Sequence, residues 1–221
     1  MKKFLYAILL IAAATSCSTT TRLSQYPKMY ESKPVTILVM PPINNTANVE
    51  AKDLLYTSIN KPLAEAGYYV ISPHLAMDIL KSESAYDAEM FIDAPLDKFA
   101  QFFGADAVVF SQIEKWTKSG FGIDTKIRYF IKSAKTNEII FDRTCDLHLD
   151  LSQNSSGGGV LGALIDLAAS AIVTATTDHI VAARKANAYI FNDIPRGKYS
   201  PMFGKDQNVS AAKKDIKANV K

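Results

Sequence analysis

The chain offers few residues whose types and spacing could do chemistry, and the first of them is a cysteine. Cys17 stands directly after an uncharged apolar run, Phe4 to Ala14, and the small residues Thr15 and Ser16. A signal peptidase needs an extended, uncrowded segment of this kind at its cut, and the thiol of Cys17 can be acylated. Cys145 is the only other thiol, three residues before His148. On a strand that spacing turns the two side chains to opposite faces, so they cannot form a nucleophile–base pair. Cys145 falls in step with Leu147 and Leu149 and reads as a small core residue. His148 falls in step with Asp146 and Asp150. A solvated polar sheet face is the preferred reading there, with a weak metal or proton site as the sharper one. His179 lies on the apolar stripe of a helix, as a hydrogen-bonded core histidine would, and His74 opens a helix after Pro73. No two histidines have ligand spacing. Gly157-Gly158-Gly159 precedes a helix, where backbone amides can bind anions, but the run lacks the Lys-Ser/Thr of a phosphate loop. A hinge is preferred. Ser155 and Ser156 lack the turn pattern of a hydrolase nucleophile. The sequence therefore predicts no catalytic, cofactor-binding or metal-binding set, and Cys17 as the lipidation site.

The residues around Cys17 give that thiol its setting. Lys2 and Lys3 supply a positive start and the apolar run is too short to span a bilayer, so residues 1–16 read as a removable signal peptide. Ala14-Thr15-Ser16-Cys17 resembles the bacterial lipobox, with Ala14 where Leu is usual. By the same resemblance, Ser18 in place of Asp after the Cys favours the outer membrane. Residues 17–34 are polar and read as a tether with a reach on the order of 20–25 Å. The body is then a single domain over 35–191, and 192–221 reads as a basic, partly disordered tail. That tail holds seven basic and three acidic residues. It could touch anionic lipid or an acidic partner, although a solvated terminus is the preferred reading. Nothing in the body suggests nucleic-acid binding. With Cys17 given to lipid, no intrachain disulfide is available, and burial alone must hold the domain.

The pattern along the chain is α/β. Val35 to Met40 reads as a buried strand, followed by a helix from an Asn48 cap to about Ala66 that Pro62 interrupts. Tyr68 to Ile71 reads as a strand, Pro73 to Lys81 as a helix, and 82–93 as an acidic loop. Another helix starts at Asp93-Ala94-Pro95 and ends at Gly104. Ala105 to Thr117 is a strand apolar on both faces in its first half, as a central strand covered on two sides would be. Ile123 to Ala134 and Ile139 to Leu151 then alternate cleanly and read as an antiparallel hairpin. For both apolar sets to share one face the paired numbers must sum to an even value, which requires a three-residue turn or a bulge. One such register sets Lys132 beside Asp142 and Arg128 beside Asp146. A long helix over about 160–188 carries a stripe of Leu161, Leu164, Ile165, Ala168, Ile172, Ala175 and Ala183. Asp166 and Asp178 break it too often for a membrane span.

Several segments together resemble a known family: Tyr26-Pro-Lys-Met-Tyr-Glu-Ser-Lys-Pro, the strand end Val39-Met40-Pro41-Pro42-Ile43-Asn44-Asn45-Thr46, Lys61 to Val70, Gly104-Ala105-Asp106-Ala107-Val108 and Trp116. Gly197-Lys198-Tyr199-Ser200-Pro201 resembles a looser form of that family's C-terminal Gly-Pro-Tyr-x-Pro segment, lacking its first Pro. The family is that of bacterial outer-membrane lipoproteins of unknown function, similar to the TolB amino-terminal domain and the CsgG-type secretion lipoprotein. The resemblance implies a layered mixed sheet with packed helices, parallel in its first part and antiparallel in its second. It also implies a periplasm-facing position on the outer membrane and a CsgG-like partner.

The function expected from these readings is that of a membrane-anchored envelope lipoprotein. It would act as a non-enzymatic assembly, scaffold or export-accessory component, bound to copies of itself or to a CsgG-like lipoprotein. The alternative is a periplasmic ligand-binding or hydrolytic domain using Asp124, Lys126, Asp146 and His148 or the glycine run.

Overall fold

The structure, a computed structural model, describes residues 20–151 and 171–221. Cys17, the run Gly157-Gly158-Gly159 and the stripe residues Leu161, Leu164, Ile165 and Ala168 lie outside the described residues. One mixed sheet organises the rest, with β3 (Tyr69–Val70), β1 (Thr36–Val39), β4 (Ala107–Ser119), β5 (Gly122–Ser133), β6 (Ile139–Asp150) and β7 (Asp215–Val220) side by side in that order. A two-residue β2 (Ile43–Asn44) also pairs with β4. The pairings β3–β1–β4 are parallel, β4–β5–β6 antiparallel, and β6–β7 parallel again. The mixed sheet follows the expected change from parallel to antiparallel.

Helix α3 (Glu50–Glu65) and the long α6 (Ala171–Phe191) cover one face, packing on each other and on β4 to β6. Their core joins Leu55, Ile59 and Leu63 to Ile37, Val109, Ile127, Tyr129, Phe141, Leu147 and the small Ala182, Ala183 and Ala186. Small residues let α6 approach closely. Asn187 fixes its position: it accepts from the Tyr129 hydroxyl at 2.7 Å and donates to Leu55 O and Ser58 Oγ. Helix α4 (Pro73–Ser82), a short 3-10 turn (Ala88–Phe91) and α5 (Asp97–Phe103) cover the other face over β1 and the start of β4. Hence Ala107 to Phe110 are buried on both sides, as the apolar run predicts. Pro62 lies inside α3 without breaking it. Asn48 does supply a side-chain acceptor, to the amide of Ala51 at 3.0 Å.

The hairpin shows how parity controls this sheet. Phe130 opposes Asp142 and Ile127 opposes Cys145, an even register, and a shift between Ile131 and Lys132 absorbs the turn. The expected bulge is present, but the partners differ by one step of two. Lys126, not Arg128, opposes Asp146, and Lys132 opposes Ile139. Arg128 instead reaches diagonally to Asp142 at 3.0 Å. A second shift, between Ile113 and Lys115 in β4, makes Glu114 the extra residue. It brings Ile113 and Trp116 to the same buried face, which strict alternation would forbid.

Described residues at both ends of the chain form regular structure. The described part of the expected tether over 17–34 holds two short helices, α1 (Arg22–Gln25) and α2 (Pro27–Ser32), with Thr21 capping the first. The expected disordered tail over 192–221 is folded: residues 194–210 form turns against the domain, and β7 adds a parallel strand beside β6. In β7 the residues Ile216, Ala218 and Val220 face the core side. The described residues before 35 and after 191 therefore pack with those of 35–191.

Candidate functional site

Both ends of the domain meet around Arg22. Its side chain is 9% exposed, and its guanidinium donates to Asp193 Oδ1 at 3.3 Å, Asp206 Oδ2 at 3.1 Å and the Asn192 carbonyl at 3.2 Å. Asp193 Oδ2 also accepts from the Tyr26 hydroxyl at 2.9 Å and the Ala212 amide at 3.0 Å. Asp206 Oδ2 accepts from the Arg196 amide at 2.9 Å. One arginine so pairs with two buried carboxylates and ties the chain just after Cys17 to the C-terminal segment. Tyr26 stacks on Phe141 at 4.9 Å, and burial drives its hydroxyl pKa well above the usual tyrosine range, so it donates at any physiological pH. Backbone bonds complete the clasp: Arg22 N to Val209 O, Leu23 N to Gln207 O and Ala211 N to Thr20 O.

The Gly197-Lys198-Tyr199-Ser200-Pro201 segment locks this clasp to the end of α3. Gly197 N donates to Ala66 O and Tyr199 N to Gly67 O. Gly67 sits at φ +95°, and a Cβ on either Gly67 or Gly197 would collide with the opposing backbone. The two glycines permit a backbone crossing that no side chain allows. Arg143, fully buried on the core side of β6, caps the end of α6 through the Ile190 carbonyl at 2.6 Å and holds the lead into β7 through Lys213 O at 2.8 Å. Neither arginine stood out among the sequence candidates. Arg22 is a lone charge in a polar stretch, Arg143 stands beside Asp142 in an alternating strand, and the partners of both lie far away in the chain.

The other candidates fall into place by face. Cys145 is fully buried, and burial pushes its thiol pKa up to about 12. Trp116 Nε1 donates to His179 Nδ1 at 2.8 Å, and burial holds His179 below the ordinary histidine value. His148 Nδ1 lies 2.6 Å from Asp124 Oδ1, and Lys115 reaches Asp124 Oδ2 at 2.8 Å. The Lys115 and His148 hydrogen bonds hold the Asp124 carboxyl below its usual range. Lys126 pairs with Glu114 at 2.6 Å. These groups share one face of β4 to β6, with 21% of the Asp124 side chain, 40% of His148 and 45% of Lys126 exposed. Among the described residues no group of three or more His, Cys, Asp or Glu side chains could hold a metal ion. A cleft of about 330 Å³ between α4 and α5 is lined by Leu80, Phe91, Phe99, Phe102 and Phe103. No helix among the described residues is long and apolar enough to cross a membrane.

The fold defines a mixed-sheet α/β domain whose two described ends are joined to each other. Residues 24–197 match the family described as "Putative lipoprotein GNA1162-like", and the chain belongs to that family. It is 26% identical over 194 residues to the "Putative lipoprotein NMB1124/NMB1162" of Neisseria meningitidis serogroup B, spanning 86% of this chain and 89% of that one. Its fold is similar to the crystal structure of lipoprotein GNA1162 from Neisseria meningitidis, with a TM-score of 0.50 and 24% identity over 65% of this chain and 99% of that one. A PelC dodecamer from Paraburkholderia phytofirmans aligns with a TM-score of 0.41 and 14% identity over 72% of this chain and 87% of that one. The matched region of the family ends at the Gly197 crossing, so it includes Arg22's partner Asp193 and both glycines.

Proposed function

We propose that this protein is held at the outer membrane by lipid on Cys17, faces the periplasm, and acts without catalysis as an assembly or scaffold component of the envelope. The observation that carries this reading is the Arg22–Asp193–Asp206 clasp. It closes the folded domain within a few residues of Cys17, so the domain stands at the membrane surface rather than on a long leash. Membership of a lipoprotein family supports the anchor. The mutually paired charges around His148 support a structural rather than catalytic face. The partner is a second copy of this chain or another envelope lipoprotein, and the resemblance to CsgG-type proteins favours the latter. Gentle solubilisation of membranes followed by affinity capture tests the role: a defined co-purifying lipoprotein or homo-oligomer is expected, and a clean monomer without partner would overturn it.

A further inference from the structure

The clasp sets the geometry between the domain and its anchor. From Cys17 to Thr21 there are four residue steps, which extend to no more than about 14 Å. Thr21 bridges Ser210, and Leu23 is bonded to Gln207. The turn segment 199–210 therefore lies within a short reach of whatever surface holds Cys17. That segment presents apolar side chains that the core does not use: Met202 is 47% exposed, Phe203 38% and Val209 42%, beside Leu23 at 40%.

The chain that carries this patch is mostly basic, with Lys214 paired to Asp142. Between residues 194 and 214 stand Arg196, Lys198, Lys205, Lys213 and Lys214, against a single acid, Asp206. Asp206 is buried and paired with Arg22, which it shares with Asp193. Lys33, Tyr30 and Arg196 line a notch of about 220 Å³ together with Phe203. Apolar side chains rimmed by lysines are the composition that seats at a lipid headgroup boundary, and juxtamembrane basic groups are drawn to anionic lipid. Phe121, the most exposed aromatic among the described residues at 80%, sits at the β4–β5 turn. That turn opposes Asp150, eight residues along β6 from Asp142, or about 27 Å away at strand rise.

We propose that Leu23, Met202, Phe203 and Val209, rimmed by Lys33, Lys205 and Lys213, seat directly on the anionic phospholipid surface that holds Cys17. The domain is then fixed in orientation, with the β4–β5 turn pointing away from the bilayer. This rests on acylation of Cys17.

The test uses the full chain purified from membranes, its acylation read by intact mass. An environment-sensitive fluorophore is placed at Phe203→Cys or, as the distal control, at Phe121→Cys; buried Cys145 does not compete for label, and a chain found unacylated carries Cys17→Ser before labelling. In vesicles of phosphatidylethanolamine and phosphatidylglycerol containing headgroup-proximal spin-labelled lipid, quenching at 203 should exceed that at 121 by about twofold or more. Lys205→Glu should reduce quenching at 203 in these vesicles and leave it unchanged in phosphatidylcholine. An acylated chain with equal quenching at both positions overturns the surface alone. Quenching at 203 that falls as protein is added relative to lipid points to contact between copies and also overturns it. An unacylated chain that still shows the difference overturns the anchor and keeps the surface; an unacylated chain without it overturns both.

Discussion

Replacing Arg22 with Met should unmake the join between the two ends of the domain. The substitution keeps much of the side-chain volume and removes the charge that balances Asp193 and Asp206, whose side chains are 6% and 2% exposed. Removing one partner of a buried ion pair costs about 3–5 kcal/mol, because the remaining charge is left in a poorly solvated site. Here Asp193 keeps the Tyr26 hydroxyl and the Ala212 amide, and Asp206 keeps the Arg196 amide. Those donors favour the low end of the range, about 3 kcal/mol. For a domain of this size that lowers Tm by about 6–12 °C. Urea and thermal unfolding followed by the single tryptophan, Trp116, would report it, with hydrogen exchange at 196–212 rising first. Adding Asp206→Asn to Arg22→Met should restore about 1 kcal/mol or more, since it removes one stranded carboxylate. A stability within about 0.5 kcal/mol of wild type for Arg22→Met would refute the role given to the clasp.

Gly197→Ala and Gly67→Ala should each cost about 2–4 kcal/mol, because the added Cβ meets backbone and, at Gly67, φ is +95°; a calorimetric scan unchanged by either would contradict the crossing. His179 is held neutral by burial and accepts from Trp116, so its folded pKa lies below the unfolded value of 6.5. The unfolded chain then binds more protons in the window just below pH 6.5, and stability should fall as pH drops through it; His179→Gln should flatten that slope, and Trp116 emission should shift with the same midpoint in the parent only. The Cys145 thiol, buried and raised to about 12, should react with maleimide at pH 8 only through unfolding, so Arg22→Met should accelerate its labelling in proportion to the lost stability.

The central sheet was legible because its signal is periodic and local. Alternation in Ile123 to Ile131 and Phe141 to Leu151 identified the buried face, and parity required a three-residue turn or a bulge, which falls between Ile131 and Lys132. The pair partners were off by two because parity admits every even register, and the choice among them depends on the turn at Asn137, whose φ is +61°. The ends were hidden for a different reason. Arg22 meets Asp193 and Asp206 across more than 170 residues, and a polar stretch with one arginine has no local mark of burial. Asp215 to Val220 does alternate, with Ile216, Ala218 and Val220 inward, but the surrounding lysines make it read as a charged tail. The Gly-Lys-Tyr-Ser-Pro segment was visible only as a likeness, and its work, crossing Gly67, exists only in three dimensions.

Every part of the functional account depends on the thiol that precedes this clasp. Cells fed an alkyne fatty acid should incorporate it into the parent chain, while Cys17→Ala should show none and move from the membrane to the soluble periplasmic fraction. Equal labelling of both chains, or a Cys17→Ala chain that remains in the membrane fraction, would contradict the lipid anchor.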